Sequence, residues 1–158
     1  MIRNKLTEVP IFDHFDTREL NALSSITDEK KYDKGQLIVE QGSSPDGLYI
    51  VLEGLVQVSR KTDTGSIVVL DELGKGATFG ALSVIDKGVR GASCLALTNV
   101  EVAFLPIIHF LELMEGTSAL ALQVQASMLR AIFSEIRKTN KELSELSALE
   151  PYFPMNAV

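Results

Sequence analysis

The sequence has 158 residues, 46% of them hydrophobic and 23% charged, with a formal net charge of −6. That is enough chain for one domain with a substantial core, and the composition is globular rather than disordered. The acidic balance argues against a broad basic face for nucleic acid, and no apolar run approaches the ~20 residues of a membrane helix. Ile2 to Glu8 carries polar and charged residues where a signal peptide would be apolar, so a cytoplasmic protein without a membrane segment is expected. The single Cys94 cannot form an internal disulfide and reads as a buried small apolar residue. His14 and His109 have no ligand-spaced partners, which leaves little from which to build a metal site or a Ser-His-Asp nucleophile. His109, between Ile108 and Phe110, reads as structural.

The N-terminal part reads as a helical lead-in. Asp16 and Glu19 have capping-box spacing, and Leu20, Leu23 and Ile26 come after them at helical intervals, so a helix is expected from Thr17 to Ser25. Ile11, Phe12 and Phe15 before it would pack on the chain beyond the helix. From Asp28 to Pro106 the pattern changes to short strands. Asp33-Lys34-Gly35 is a turn, Gln36 to Glu40 a strand, and Gln41 to Gly47 a loop by composition. Leu48 to Glu53 reads as a buried strand, and Val56 to Arg60 alternates. Thr62 to Gly65 turns into a strand at Ile67 to Leu73; Ser93 to Ala96 and Val100 to Leu105 are two more, joined through Thr98-Asn99. About eight short strands at this spacing suggest a sandwich or barrel, with a jelly roll fitting best.

Pro106 suits the first turn of a helix running to about Met114, broken at Glu115-Gly116. Thr117 or Ser118 then caps a long helix from Ala119 to about Leu146. It carries a heptad seam, Leu122, Ala126, Leu129, Phe133, Ile136, Asn140 and Leu143, and beside it a stripe of Ala121, Val124, Met128 and Ile132. Two adjoining stripes call for two partners: the protein's own barrel and the same helix of a second copy. The expected organisation is one domain over 1–147, with a β-roll over about 28–106 and the long helix over about 118–147. A tail over 148–158 has two prolines that exclude further helix, and its aromatics would tuck onto a groove or stay unfolded.

The chemistry concentrates between Gly74 and Ala92. Gly74, Gly76 and Gly80 open this stretch, Ala81-Leu82-Ser83-Val84-Ile85 forms a short apolar turn, and Asp86-Lys87-Gly88 delivers Arg90 between small residues. Glycines let backbone N–H groups approach a ligand, and a one-turn helix from Gly80 would aim further N–H groups at the same point. Arg90 adds a planar, permanently charged fork suited to phosphate, although Asp86 and Glu72 are also available to pair with it.

The frame Phe79-Gly80-Ala81-Leu82-Ser83-Val84-Ile85, three residues, then Val89-Arg90-Gly91-Ala92 resembles, without a gap, the phosphate-binding cassette of cyclic-nucleotide-binding domains of the catabolite activator protein family. Lys34-Gly35-Gln36 and Gly47 to Gly54 are similar to early strands of that family, and the likeness extends over about residues 10–147. One position departs: Ala81 stands where the family has the glutamate that holds the ribose 2′-hydroxyl. The resemblance implies that Gly80, Leu82 and Ser83 line the sugar-phosphate side, that Arg90 binds the phosphate, and that Gly91 and Ala92 offer backbone groups. It also implies that the long helix closes the purine side near Ser134, Glu135 and Lys138. Loss of the glutamate would weaken nucleotide binding or alter the ligand, and Ser83 is a possible substitute donor.

The expected function is therefore a stand-alone, homodimeric, non-enzymatic sensor that binds cAMP, cGMP or another anion and signals to a separate partner. No other cofactor is expected. DNA-binding members of the family continue into a helix-turn-helix domain that this sequence does not reach, so direct DNA binding is not expected. The alternative is a degenerate scaffold for dimerisation or docking that no longer senses nucleotide, for which Ala81 is the motive. A cupin-like enzyme on the same jelly roll would need clustered metal ligands that the two isolated histidines do not supply.

Overall fold

A computed structural model describes residues 2–149 of the chain. Of the tail expected over 148–158, residues 150–158 lie outside the described residues, while 148 and 149 continue the long helix rather than leave it, because both prolines fall beyond them. The chain opens with a short helix α1 (Ile2–Leu6), a 3₁₀ turn at Pro10–Phe12 and α2 (Thr17–Ser25). Next come strands β1 (Asp28–Tyr32), β2 (Leu37–Val39), β3 (Gly47–Glu53), β4 (Val56–Lys61), β5 (Ile67–Leu73) and β6 (Thr78–Phe79). A single-turn helix α3 (Ala81–Ile85), strands β7 (Ser93–Ala96) and β8 (Val100–Pro106), and helices α4 (Ile107–Glu115) and α5 (Ala119–Leu149) complete it. The strands form two antiparallel four-stranded sheets, ordered β1-β8-β3-β6 and β2-β7-β4-β5, the jelly-roll arrangement expected.

Alternation along β3 and β8 explains how the layers hold together. Tyr49 and Val51 with Val102 and Phe104 point into the roll. Leu48, Ile50 and Leu52 with Ala103 and Leu105 point to the other face, where they meet Phe12, Phe15, Leu23, Phe110 and Val124 from the helices. Both faces of these central strands are buried, so they read as continuous apolar runs. At α2 the capping box forms as expected: Asp16 Oδ1 accepts from the N–H groups of Arg18 and Glu19, and Glu19 Oε2 accepts from Asp16 N–H. The α5 cap is Ser118, whose Oγ accepts from Ala121 N–H at 3.1 Å.

Three differences from the sequence reading have simple causes. β1, Asp-Glu-Lys-Lys-Tyr, carries no apolar alternation and is a strand because β8 pairs with all five residues. β6 has only two residues, too few for periodicity to register. His109 is part-exposed and faces Glu112 Oε2 at 3.2 Å rather than the core.

On α5 the two stripes separate. Ala121, Val124 and Met128 are buried against the protein's own core, while Leu122, Leu129, Phe133, Ile136 and Leu143 of the seam are 48–57% exposed. Ile132, placed on the inner stripe from sequence, is exposed as well. The core ends near Met128, and α5 runs on past it to Leu149.

Candidate functional site

The cassette turns as the glycines allow. Gly80 is the N-cap of α3 with φ of 93°, a left-handed conformation that a side chain would strain. A Cβ there would also stand 2.6 Å from Arg90 Nη1 and 2.9 Å from the Gly47 carbonyl oxygen, so the position is closed to any side chain. Gly47 is closed for the same reason by the Leu105 carbonyl. After α3, Asp86 Oδ1 accepts from Gly88 N–H at 2.8 Å and shapes the turn that leads to Arg90.

Arg90 is 3% exposed. Its Nη1 donates to the Gly80 carbonyl (2.5 Å) and Ser83 Oγ (2.9 Å); its Nη2 donates to Asp46 Oδ1 (2.6 Å) and the Gly47 carbonyl (2.8 Å). The main chain is fixed as well: Arg90 N–H donates to Ser43 O and Gly42 N–H donates to Arg90 O. The ion-pair partner is thus Asp46, not Asp86 or Glu72. Beneath the guanidinium lies the Tyr49 ring, 5.8 Å from Cζ, stacked on Phe79 at 4.9 Å. Tyr49 O–H donates to the other Asp46 oxygen at 2.6 Å. Burial raises the pKa of the Asp46 carboxyl, but the hydrogen bonds from Tyr49 and Arg90 outweigh it and hold the group below its ordinary value. Burial, helped by the bond to Asp46, pushes the Tyr49 hydroxyl well above its ordinary value.

Arg90 forms part of the wall of a cavity of about 320 Å³ on the inner face of the β2-β7-β4-β5 sheet. Gly80, Leu82, Ser83, Gly91 and Ala92 line it with Arg90, as do Phe79, Val39, Val58, Arg60, Leu70, Asp86, Val89 and Cys94. The structure therefore brings together every cassette residue singled out from sequence except Ala81, which packs towards the helical core instead. The cavity is mostly apolar with a few converging polar groups, the pattern of a small-molecule site. Burial pushes the Cys94 thiol up to about 11. The helix residues Ser134, Glu135 and Lys138 are exposed and do not line the cavity. Lys138 Nζ instead reaches Asp71 Oδ2 at 3.4 Å, which sets that turn of α5 beside β5, next to Leu70. Asp46, Tyr49 and Arg60 were missed from sequence: Asp46 meets Arg90 across 44 positions, a separation that leaves no local signal, and Tyr49 and Arg60 sit in strands whose pattern shows only their place in the sheet.

Comparison with known proteins agrees with this geometry. A family profile described as the cyclic nucleotide-binding domain matches residues 29–117. The chain belongs to the cyclic nucleotide-binding domain family. Among relatives, the cAMP-dependent protein kinase type II regulatory subunit of Drosophila melanogaster is 33% identical over 111 residues, 70% of this chain and 29% of that protein. The CRP-like cAMP-activated global transcriptional regulator of Mycobacterium tuberculosis is 25% identical over 141 residues, 89% of this chain and 61% of that protein. The chain thus spans less than two thirds of the length of either relative. The crystal structure of the Thermus thermophilus catabolite activator protein superposes with a TM-score of 0.74 at 28% identity, covering 87% of this chain and 63% of that one. In this cyclic nucleotide-binding domain the family's β-roll and long C-terminal helix are both present among the described residues.

Proposed function

We propose that this domain is a non-enzymatic cyclic-nucleotide sensor that pairs with a second copy through α5 and passes its ligand state to a separate partner. The observation that carries the reading is the buried Arg90, held in the wall of a 320 Å³ cavity beside the Gly91 and Ala92 backbone. A nucleotide phosphate at that end would meet the guanidinium and the main-chain N–H groups, with Gly80, Leu82 and Ser83 along the sugar. The relatives named above are cAMP-linked regulators by name, which favours cAMP or cGMP as the ligand.

The missing glutamate at Ala81 sets the affinity. A hydrogen bond to a charged group contributes about 1.5–3 kcal/mol, so its absence weakens nucleotide binding by roughly tenfold to a hundred-and-fifty-fold relative to a cassette that has it. The exposed seam of Leu122, Leu129, Phe133, Ile136 and Leu143 supports a helix-to-helix dimer, because an apolar stripe repeating at heptad spacing is stabilised by a like stripe. The Lys138–Asp71 pair, one residue from Leu70 of the cavity wall, supports a role for α5 in covering a bound ligand. A ligand touching cassette and helix together would favour one packing of the helix pair over another, as a switch requires.

The test is a thermal scan with cAMP and cGMP. At a hundredfold excess over the dissociation constant, ligand adds about 2.7 kcal/mol, a rise of roughly 5–10 °C for a chain of this size. No shift with either nucleotide at millimolar concentration overturns the sensor reading. It would favour instead a scaffold that no longer senses, a reading motivated by Ala81 and by an Arg90 whose Nη1 and Nη2 are already engaged by the protein.

A further inference from the structure

Arg60 is a second arginine in the cavity wall, and the frame around Arg90 does not engage it. It stands near the end of β4, two residues after Val58, so both side chains face the cavity. It is exposed, and among the described residues no carboxylate pairs with it, whereas Arg90 is paired with Asp46.

The strand register fixes which end of the cavity Arg60 occupies. β4 pairs with β7 through Val58–Cys94 and Ser59–Ser93. Arg60 follows Ser59 on β4 and Ala92 precedes Ser93, so Arg60 continues toward Ala92, Gly91 and Arg90, which line the same cavity. There β7 has ended and the Gln41 side chain takes its place: its Oε1 accepts from Lys61 N–H (2.7 Å) and its Nε2 donates to the Lys61 carbonyl (3.1 Å). Gln41 N–H donates to Ser93 Oγ at 2.9 Å, and the next residues, Gly42 and Ser43, bond the Arg90 main chain. One loop therefore holds the strand end that carries Arg60 and the backbone of Arg90 in a fixed relation. The two guanidinium-bearing positions share the end of the cavity where the proposed phosphate lies.

We infer that this site favours a nucleotide with more negative charge at that end than a single cyclic phosphodiester, carried on a phosphomonoester or a second phosphate, and that Arg60 reads the extra charge. The inference rests on the reading that Arg90 marks the phosphate end. Among the described residues Asp86 is the one carboxylate in the wall, and its Oδ1 is engaged by Gly88 N–H at the turn. A single cyclic phosphodiester held by the main-chain N–H groups and the guanidinium at the Arg90 end leaves Arg60 a solvated rim charge, which contributes little. A further phosphate oxygen pair offers the Arg60 fork a bidentate partner.

The experiment is calorimetry of the full chain with cAMP and with adenosine 3′,5′-bisphosphate, for the wild type, Arg60→Gln and Arg60→Lys. The wild type is expected to bind the bisphosphate roughly tenfold or more tightly than cAMP. Arg60→Gln narrows that preference to within about threefold, and Arg60→Lys, which keeps the charge without the fork, falls between. Arg60 is exposed on a strand that β5 and β7 flank, so both variants keep the wild-type melting temperature, checked in the same samples. If cAMP binds but the bisphosphate is no better, or if Arg60→Gln lowers both ligands by the same factor, this inference is wrong and the nucleotide-sensor reading stands. If neither ligand binds the wild type at millimolar concentration, the sensor reading fails and this inference with it.

Discussion

Replacing Arg90 by alanine tests whether this residue is a ligand contact only or also a clamp of the ligand-free fold. The side chain is 3% exposed and donates to two main-chain carbonyls, Gly80 and Gly47, to Ser83 Oγ and to Asp46. Its removal leaves the two carbonyls without that donor, at about 1–3 kcal/mol for each one left unpaired. The Asp46 side chain is 53% exposed and regains water, so losing the ion pair adds at most about 1 kcal/mol. The expected loss is about 2–7 kcal/mol, which lowers the melting temperature by roughly 4–28 °C for a chain of this size. Urea denaturation of the ligand-free protein, monitored by circular dichroism, measures it. A variant within about 1 kcal/mol of wild type refutes the clamp, since it would mean that water satisfies both carbonyls as well as the guanidinium does. The practical consequence is that Arg90→Ala confounds binding with folding, and Arg90→Lys, which keeps a charged donor, is the better probe of the ligand.

Gly80→Ala and Gly35→Ala form a matched pair: both glycines have positive φ, 93° and 89°, but only at Gly80 does a Cβ meet other atoms. The left-handed strain of about 1–2 kcal/mol is common to both, so Gly80→Ala is expected to cost about 2 kcal/mol more in urea melts, and equal losses would show that the Arg90 contact is immaterial. Cys94, with its thiol pushed up to about 11, is expected to react with iodoacetamide at pH 8 at least about a hundredfold more slowly than a free cysteine. Because the fold favours the neutral thiol, its contribution to stability holds below the ordinary 9.0 and is lost as pH rises from there towards about 11. A urea midpoint that does not fall over that window contradicts it. Phe133→Glu on the exposed seam is expected to keep the folded circular dichroism spectrum but to halve the mass seen by sedimentation and to lower the melting temperature as the pair is lost; an unchanged mass removes the helix pair.

Much of the fold was legible because its signals are local. The Asp16–Glu19 capping box, the glycine turns, the alternation of Val56 to Arg60 and the helical stripes of α5 each depend on neighbours within a few residues, and each element formed close to its expected bounds. The cassette was legible for the same reason: Gly80 to Ala92 is one continuous frame, and Gly80, Leu82, Ser83, Arg90, Gly91 and Ala92 come together at the cavity. β1 was not, since a charged strand is held by its partner β8 rather than by its own pattern.

The sequence by itself determined the β-roll with its helical flanks and the presence of a phosphate-type turn ending in an arginine, since backbone conformation and periodicity are written in short stretches. Only the tertiary structure decided that the arginine is paired with Asp46 over Tyr49, that Ala81 faces the helices, and that Arg60 joins the cavity wall. It also decided which stripe of α5 is covered and which is left open. Those outcomes depend on contacts between segments tens of residues apart, where the packing of the whole roll, not the chemistry of any one stretch, sets which side chains meet.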